Sequence, residues 1–135
     1  MSEPANERMV NSLPLCVLPG RLAICRLPPD APLPALPSST DFWSATRTED
    51  ELTIVLPEEA VAAGWRAENG WRCFKVLGPL GFGLTGILAS LSTSLAEAGV
   101  PIFAISTYNT DYILVKEENL QKAKQALVAN GHIVK

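Results

Sequence analysis

The sequence has a single histidine, His132, and three cysteines, Cys16, Cys25 and Cys73, none of them in a C-x-x-C pair. Structural zinc takes about four nitrogen or sulfur ligands, so this set excludes such a site. Scattered cysteines in apolar surroundings read as buried thiols in a reducing compartment. Basic residues number 11 against 14 acidic ones, a net charge of −3, and no Lys/Arg cluster stands out. Proteins that grip phosphate backbones carry a basic stripe, so nucleic acid is not an expected partner. No apolar run has the length of a membrane span, and the polar residues 1–11 lack the apolar stretch of a signal peptide. The expectation is no membrane association and a cytoplasmic location. Aromatics make up only 7%, so the core must be mostly aliphatic.

What is present reads as a globular chain: 47% hydrophobic and 19% charged. Residues 1–12 are expected to be a disordered lead. Two strand-length apolar runs follow, Leu15–Leu18 and Leu22–Cys25, separated by the turn dipeptide Pro19-Gly20. Five prolines (Pro28, Pro29, Pro32, Pro34 and Pro37) then rule out a long helix, because proline lacks the donor a helix needs. An extended surface path is expected, with one helical turn near Leu33–Leu36. Phe42–Thr48 and Glu51–Leu56 read as a hairpin. Pro57-Glu58-Glu59 suits a short helix start, with Gly64 as its end.

The second half is cleaner. Trp71–Leu77 reads as a strand, followed by the glycine-rich loop Gly78–Gly83. Leu84, Ile87, Leu88, Leu91, Leu95 and Ala98 fall on one face of a helix that Gly99 stops. Val100–Ile105 and Tyr112–Val115 are strands about a turn at Tyr108–Asp111. Glu117–Ala129 is a second helix, and His132–Val134 a last strand. The resulting order, β-α-β-β-α-β, is the ferredoxin-like arrangement, with an antiparallel sheet and both helices on one face.

The first half repeats this plan in degenerate form. Phe42–Val55 and Phe103–Val115 each start on an aromatic, pass a threonine-containing polar turn and return as an apolar strand. The predicted fold is therefore α+β: two βαββαβ modules, a degenerate one over 13–64 and a complete one over 65–135.

Phe74-Lys75-Val76-Leu77-Gly78-Pro79-Leu80, Leu84-Thr85-Gly86-Ile87-Leu88, Leu95–Val100 and Ile105–Val115 together resemble the ACT domain family. The likeness is to its paired modules, as in the aspartokinase regulatory tail and the CASTOR-type arginine sensors. It covers 71–135 well and 13–64 more loosely. The resemblance implies regulatory binding of an amino acid, without catalysis, at an interface between modules. It points to Gly78, Pro79, Leu80, Gly81 and Phe82 of the loop, and to Ser106, Thr107, Tyr108 and Asp111.

The chemistry of those residue types fits an α-amino acid. A glycine-rich loop lets backbone approach a ligand, and the following helix start favours a carboxylate. Asp111, or Glu49 and Glu51 from the first module, suits an ammonium or guanidinium. The alternative is a structural or assembly module with no small ligand, in which the loop is a tight connection and Asp111 caps its own turn. No cofactor is expected. Gly81–Gly86 matches G-x-G-x-x-G, but the antiparallel hairpin after it is incompatible with a dinucleotide fold. A Ser–His or Cys–His mechanism would need His132, read here as a surface or edge residue. Trp43, Trp65 and Trp71 read as core or interface anchors. The mean hydropathy of +0.17 in so short a chain leaves apolar surface to bury, so a homodimer is expected.

Overall fold

The computed structural model describes residues 12–38, 42–78 and 86–135. Among the described residues there are eight strands and two α-helices. They are β1 (Pro14–Val17), β2 (Leu22–Leu27), β3 (Ser44–Arg47), β4 (Leu52–Pro57), β5 (Arg66–Val76), α1 (Ile87–Glu97), β6 (Phe103–Ser106), β7 (Asp111–Lys116), α2 (Leu120–Ala129) and β8 (Ile133–Val134). One-turn 3-10 segments, Glu58–Ala60 and Glu117–Asn119, follow β4 and precede α2. Ser12, the end of the expected lead, is exposed; residues 1–11 lie outside the described ones.

The chain forms two compact units, and they divide the sequence differently from 13–64 and 65–135. An inserted unit is continuous, Pro19–Arg72. A split unit combines the segment ending at Leu18 with Cys73–Lys135. The reason is strand pairing. β1 is antiparallel to the end of β5, Leu15 opposite Val76, and parallel to β8, Pro14 opposite Ile133. Sequence adjacency placed β1 with the first hairpin; its hydrogen bonds place it between two strands of the C-terminal half.

In the split unit the strand order is β8-β1-β5-β7-β6. Without β1, this is the expected ferredoxin-like order, opened to admit one extra strand. Alternate residues of each strand face the helices, as strand geometry requires. Leu15, Phe74, Val76, Ile113 and Val115 meet Ile87, Leu91 and Leu95 of α1 and Ala123 and Leu127 of α2 in one core. Leu91, Leu95, Leu15, Phe74 and Val76 are fully buried. α1 ends in a Schellman turn: the Gly99 amide donates to Ala96 and the Val100 amide to Leu95. Gly99 takes the required left-handed conformation, φ +75°. The same two bonds close α2, from Gly131 to Val128 and from His132 to Leu127.

The inserted unit has the order β3-β4-β2-β5, the same ferredoxin-like order with helices missing. Ala23, Cys25, Leu27, Leu52, Ile54 and Leu56 form its core. Ala31 and Leu36, from the proline-rich path, lie over that core with Ala60, Val61 and Trp65. The prolines thus replace the first helix by an extended cover. The helical turn expected at Leu33–Leu36 does not form; the backbone turns earlier, with the Ala31 amide donating to Pro28.

The first part of β5 was not legible. Arg66–Gly70 is polar, yet it pairs with β2, Cys25 opposite Ala67 and Arg26 opposite Arg66. The register slips between Leu22 and Ile24, which makes a bulge at Asn69-Gly70. Gly70, at φ +81°, supplies the left-handed residue. Glu58 secures it: Oε2 accepts the Gly70 amide at 3.0 Å and Oε1 accepts from Arg21 Nε at 3.0 Å. Glu58 is therefore a bulge clamp as well as an acid in a helical first turn. Trp71 is buried and Trp65 half-buried, as anchors should be, but Trp43 is 43% exposed.

Candidate functional site

The site proposed from the sequence divides three ways. Pro79, Leu80, Gly81 and Phe82 lie outside the described residues. Gly78, Ser106, Thr107, Tyr108 and Asp111 fall in the split unit. Glu49 and Glu51 fall in the inserted unit.

In the split unit, β6 and β7 form a hairpin in which Ser106 lies opposite Asp111. The Ser106 hydroxyl donates to Asp111 Oδ1 at 2.5 Å. Thr107 closes the turn: its amide donates to the Thr110 carbonyl at 2.8 Å, and its Oγ1 accepts the Thr110 amide at 3.4 Å. Threonine suits this place because its hydroxyl mimics a backbone partner in a turn. Tyr108, at the tip, is 81% exposed.

Thr110, which the sequence reading left out of the site, joins this hairpin to the end of β5. It is buried, and its Oγ1 donates to the Val76 carbonyl at 2.7 Å. Gly78 follows two residues later and is exposed. The hairpin turn and the exit from β5 are therefore held side by side. The helix after this exit begins at Ile87 with Gly86 as its N-cap, so no cap side chain accepts from its first turn. Its amide groups there favour an anion. The Asp111 carboxylate is fixed by the Ser106 hydroxyl and has lone pairs remaining for a cation.

The counterpart turn in the inserted unit is built alike. The Thr48 amide donates to the Glu51 carbonyl, and Thr48 Oγ1 accepts from Asp50 and Glu51. Glu49 is exposed there. Glu51 Oε1 accepts from Thr53 and lies 3.8 Å from Arg26 Nε, so it has partners inside its own unit. The strand registers relate the two hairpins by a constant step: Ser44 opposite Val55, and Phe103 opposite Leu114, each 59 positions later. Sequence likeness aligns Phe42 with Phe103; strand pairing aligns Ser44 with Phe103.

His132 is not a surface residue. It is 3% exposed, and Nδ1 accepts the Leu13 amide at 3.1 Å. Nε2 lies 3.2 Å from Ser90 Oγ. Because Nδ1 accepts, a neutral ring carries its proton on Nε2 and donates toward Ser90. In that tautomer it is no base for the Ser90 hydroxyl. Burial lowers its pKa. Only its place directly after Gly131, the third position beyond α2, hinted that the residue turns inward.

The cysteines are buried or half-buried thiols. Burial, with the nearby Cys16, pushes the Cys73 thiol up to about 12, and burial raises Cys25 as well. Neither is a ready thiolate. Among the described residues, no helix is long and apolar enough to cross a membrane.

Known proteins resemble this chain in sequence and in fold. Residues 66–129 match the ACT domain model, and residues 20–63 match a model described as an N-terminal domain. A crystal structure of an Agobacterium tumefaciens protein is 36% identical, with TM-score 0.86 over 92% of each chain. The regulatory subunit of aspartate kinase from Thermus thermophilus shares the fold at 15% identity, TM-score 0.56, over 84% of this chain and 96% of that one. The bovine cytosolic arginine sensor for mTORC1 subunit 1 is 34% identical over 98 residues. The match takes in 62% of this chain and 29% of the sensor, so the chain spans less than a third of that relative. The matched strand–helix–hairpin–helix segment, the fold and these relatives agree: residues 66–129 of the chain are an ACT domain.

Proposed function

We propose that the chain is a non-catalytic regulatory module that binds an amino acid, or a similarly built small molecule, at an interface between ACT-type modules. The observation that carries this reading is the joint held by Thr110 and Val76. It ties the turn that carries Asp111 to the exit of β5. A ligand's carboxylate is received at the helix start, and its cationic end faces Asp111. Gly78, Ser106, Thr107 and Tyr108 line the approach, with Pro79, Leu80, Gly81 and Phe82 as the loop positions. Glu49 and Glu51 are the acidic groups that the counterpart turn offers to a second module. The arginine-sensing relatives make L-arginine the first ligand to try. The module acts in the cytoplasm, as a homodimer.

The test is a thermal-shift screen of the twenty amino acids. A ligand at a hundredfold excess over its Kd stabilises the fold by about 2.7 kcal/mol. The expected result is a saturable rise in Tm with one amino acid, absent in Asp111→Ala. No shift with any of the twenty sinks the reading and favours an assembly module that works without a small ligand.

A further inference from the structure

In the split unit, position 106 is a serine whose short side chain turns back onto Asp111. Its counterpart, 59 positions earlier by register, is Arg47, opposite Leu52. The Arg47 guanidinium reaches away from its strand. Nη1 donates to the Pro29 carbonyl, and Nη2 to the Ala31 carbonyl at 2.7 Å. Pro29 and Ala31 belong to the segment that leaves β2. That segment is the counterpart of the one leaving β5 at Gly78, because β2 stands beside β4 as β5 stands beside β7.

A planar guanidinium with five donors suits two carbonyls presented together. A second arginine holds the turn itself: Arg26 Nη2 donates to the Asp50 carbonyl at 3.2 Å, and its Nε lies 3.8 Å from Glu51 Oε1. The fastened segment also has work beneath it. Ala31 packs on the core of the inserted unit, and Leu36 does so further along. Anything entering at this place must displace the protein's own cation and loosen the cover of a core.

We infer that Arg47 closes the inserted unit's counterpart of the ligand position, so that each chain offers one ligand position, at the Ser106–Asp111 hairpin. The count of ligands rests on the function proposed above; the closure by Arg47 does not.

Two measurements on the full chain separate these parts. The first is amide hydrogen exchange in Arg47→Ser, which installs the side chain that the counterpart carries. The Ala31 amide, bonded to Pro28, exchanges about tenfold faster in the variant, while the Thr110 amide keeps its wild-type rate. Unchanged Ala31 exchange overturns the closure. The second is equilibrium dialysis with L-arginine, and with any amino acid that the thermal screen finds, against wild type, Arg47→Ser and Asp111→Ala. One ligand per wild-type chain, none in Asp111→Ala and at least one in Arg47→Ser is the expected pattern. Two per wild-type chain, or loss of binding in Arg47→Ser, overturns the single position. No binding by any of the twenty amino acids removes the proposed function, and the exchange rates still decide the closure.

Discussion

Leu13 and His132 stand 119 positions apart, and the Leu13 amide donates to His132 Nδ1 in the buried core of the split unit. This bond joins the segment entering β1 to the end of α2, and the Nε2 contact with Ser90 adds α1. It needs a neutral ring. An unfolded histidine titrates near 6.5, whereas burial holds this one lower in the fold. Below about pH 6.5 the unfolded chain takes up a proton that the folded chain refuses. His132 therefore leaves stability intact above about pH 6.5 and lowers it as pH falls toward the folded value. The loss is up to about 1.4 kcal/mol per pH unit. Urea melts across this window should show the slope in the wild type and a weaker one in His132→Asn, whose amide oxygen can still accept from Leu13. Equal slopes would place the effect elsewhere.

Thr110→Val removes the donor to the Val76 carbonyl with little change of shape. A buried carbonyl left without its partner costs about 1–3 kcal/mol. Thr110→Ser keeps the hydroxyl and should recover most of that loss. If the two variants melt alike in urea, the hydroxyl is not what joins the hairpin to β5.

The bulge in β5 predicts a different kind of cost. A Cβ added at Gly70 would meet nothing within 4 Å, so Gly70→Ala suffers from its left-handed backbone alone, about 1–2 kcal/mol. Glu58→Ala removes the carboxylate that accepts the Gly70 amide. Because both act on one contact, the double variant should be less destabilised than the two losses added. Strict additivity in denaturant melts would argue against the clamp.

β1 offers the strongest test of how the chain is divided. Leu15 is fully buried among residues of the split unit, so Leu15→Ala should cost about 2–5 kcal/mol. A chain lacking residues 1–18 should lose the cooperative melt of α1 and α2, because the β5 edge and β8 then lack their common partner. Helical circular dichroism that melts as in the full chain would contradict this.

Much of the fold was readable because its signals are local. The period of Ile87, Leu91 and Leu95 marks α1 in any context, and Gly99 marks its end. The prolines at 28–37 exclude a helix by chemistry alone. The hairpin at 106–111 was visible as a polar turn between apolar runs, and Asp111 was named from it. Other features depended on residues far away in the chain. Arg66–Gly70 has no apolar alternation, and it is a strand because β2 pairs with it. His132 looked exposed beside a short terminal strand, and it is buried because Leu13 supplies its partner.

The sequence by itself determined two α+β modules with one ordinary and one degenerate set of helices, since periodicity, proline and glycine act within a few residues. Tertiary structure alone decided that β1 leaves its neighbours to pair with β5 and β8, that Thr110 ties the hairpin to β5, and that Arg47 fastens the proline-rich cover. Each of these is a hydrogen bond between segments whose partners the local pattern does not name; the bond forms only where the folded backbone brings donor and acceptor together.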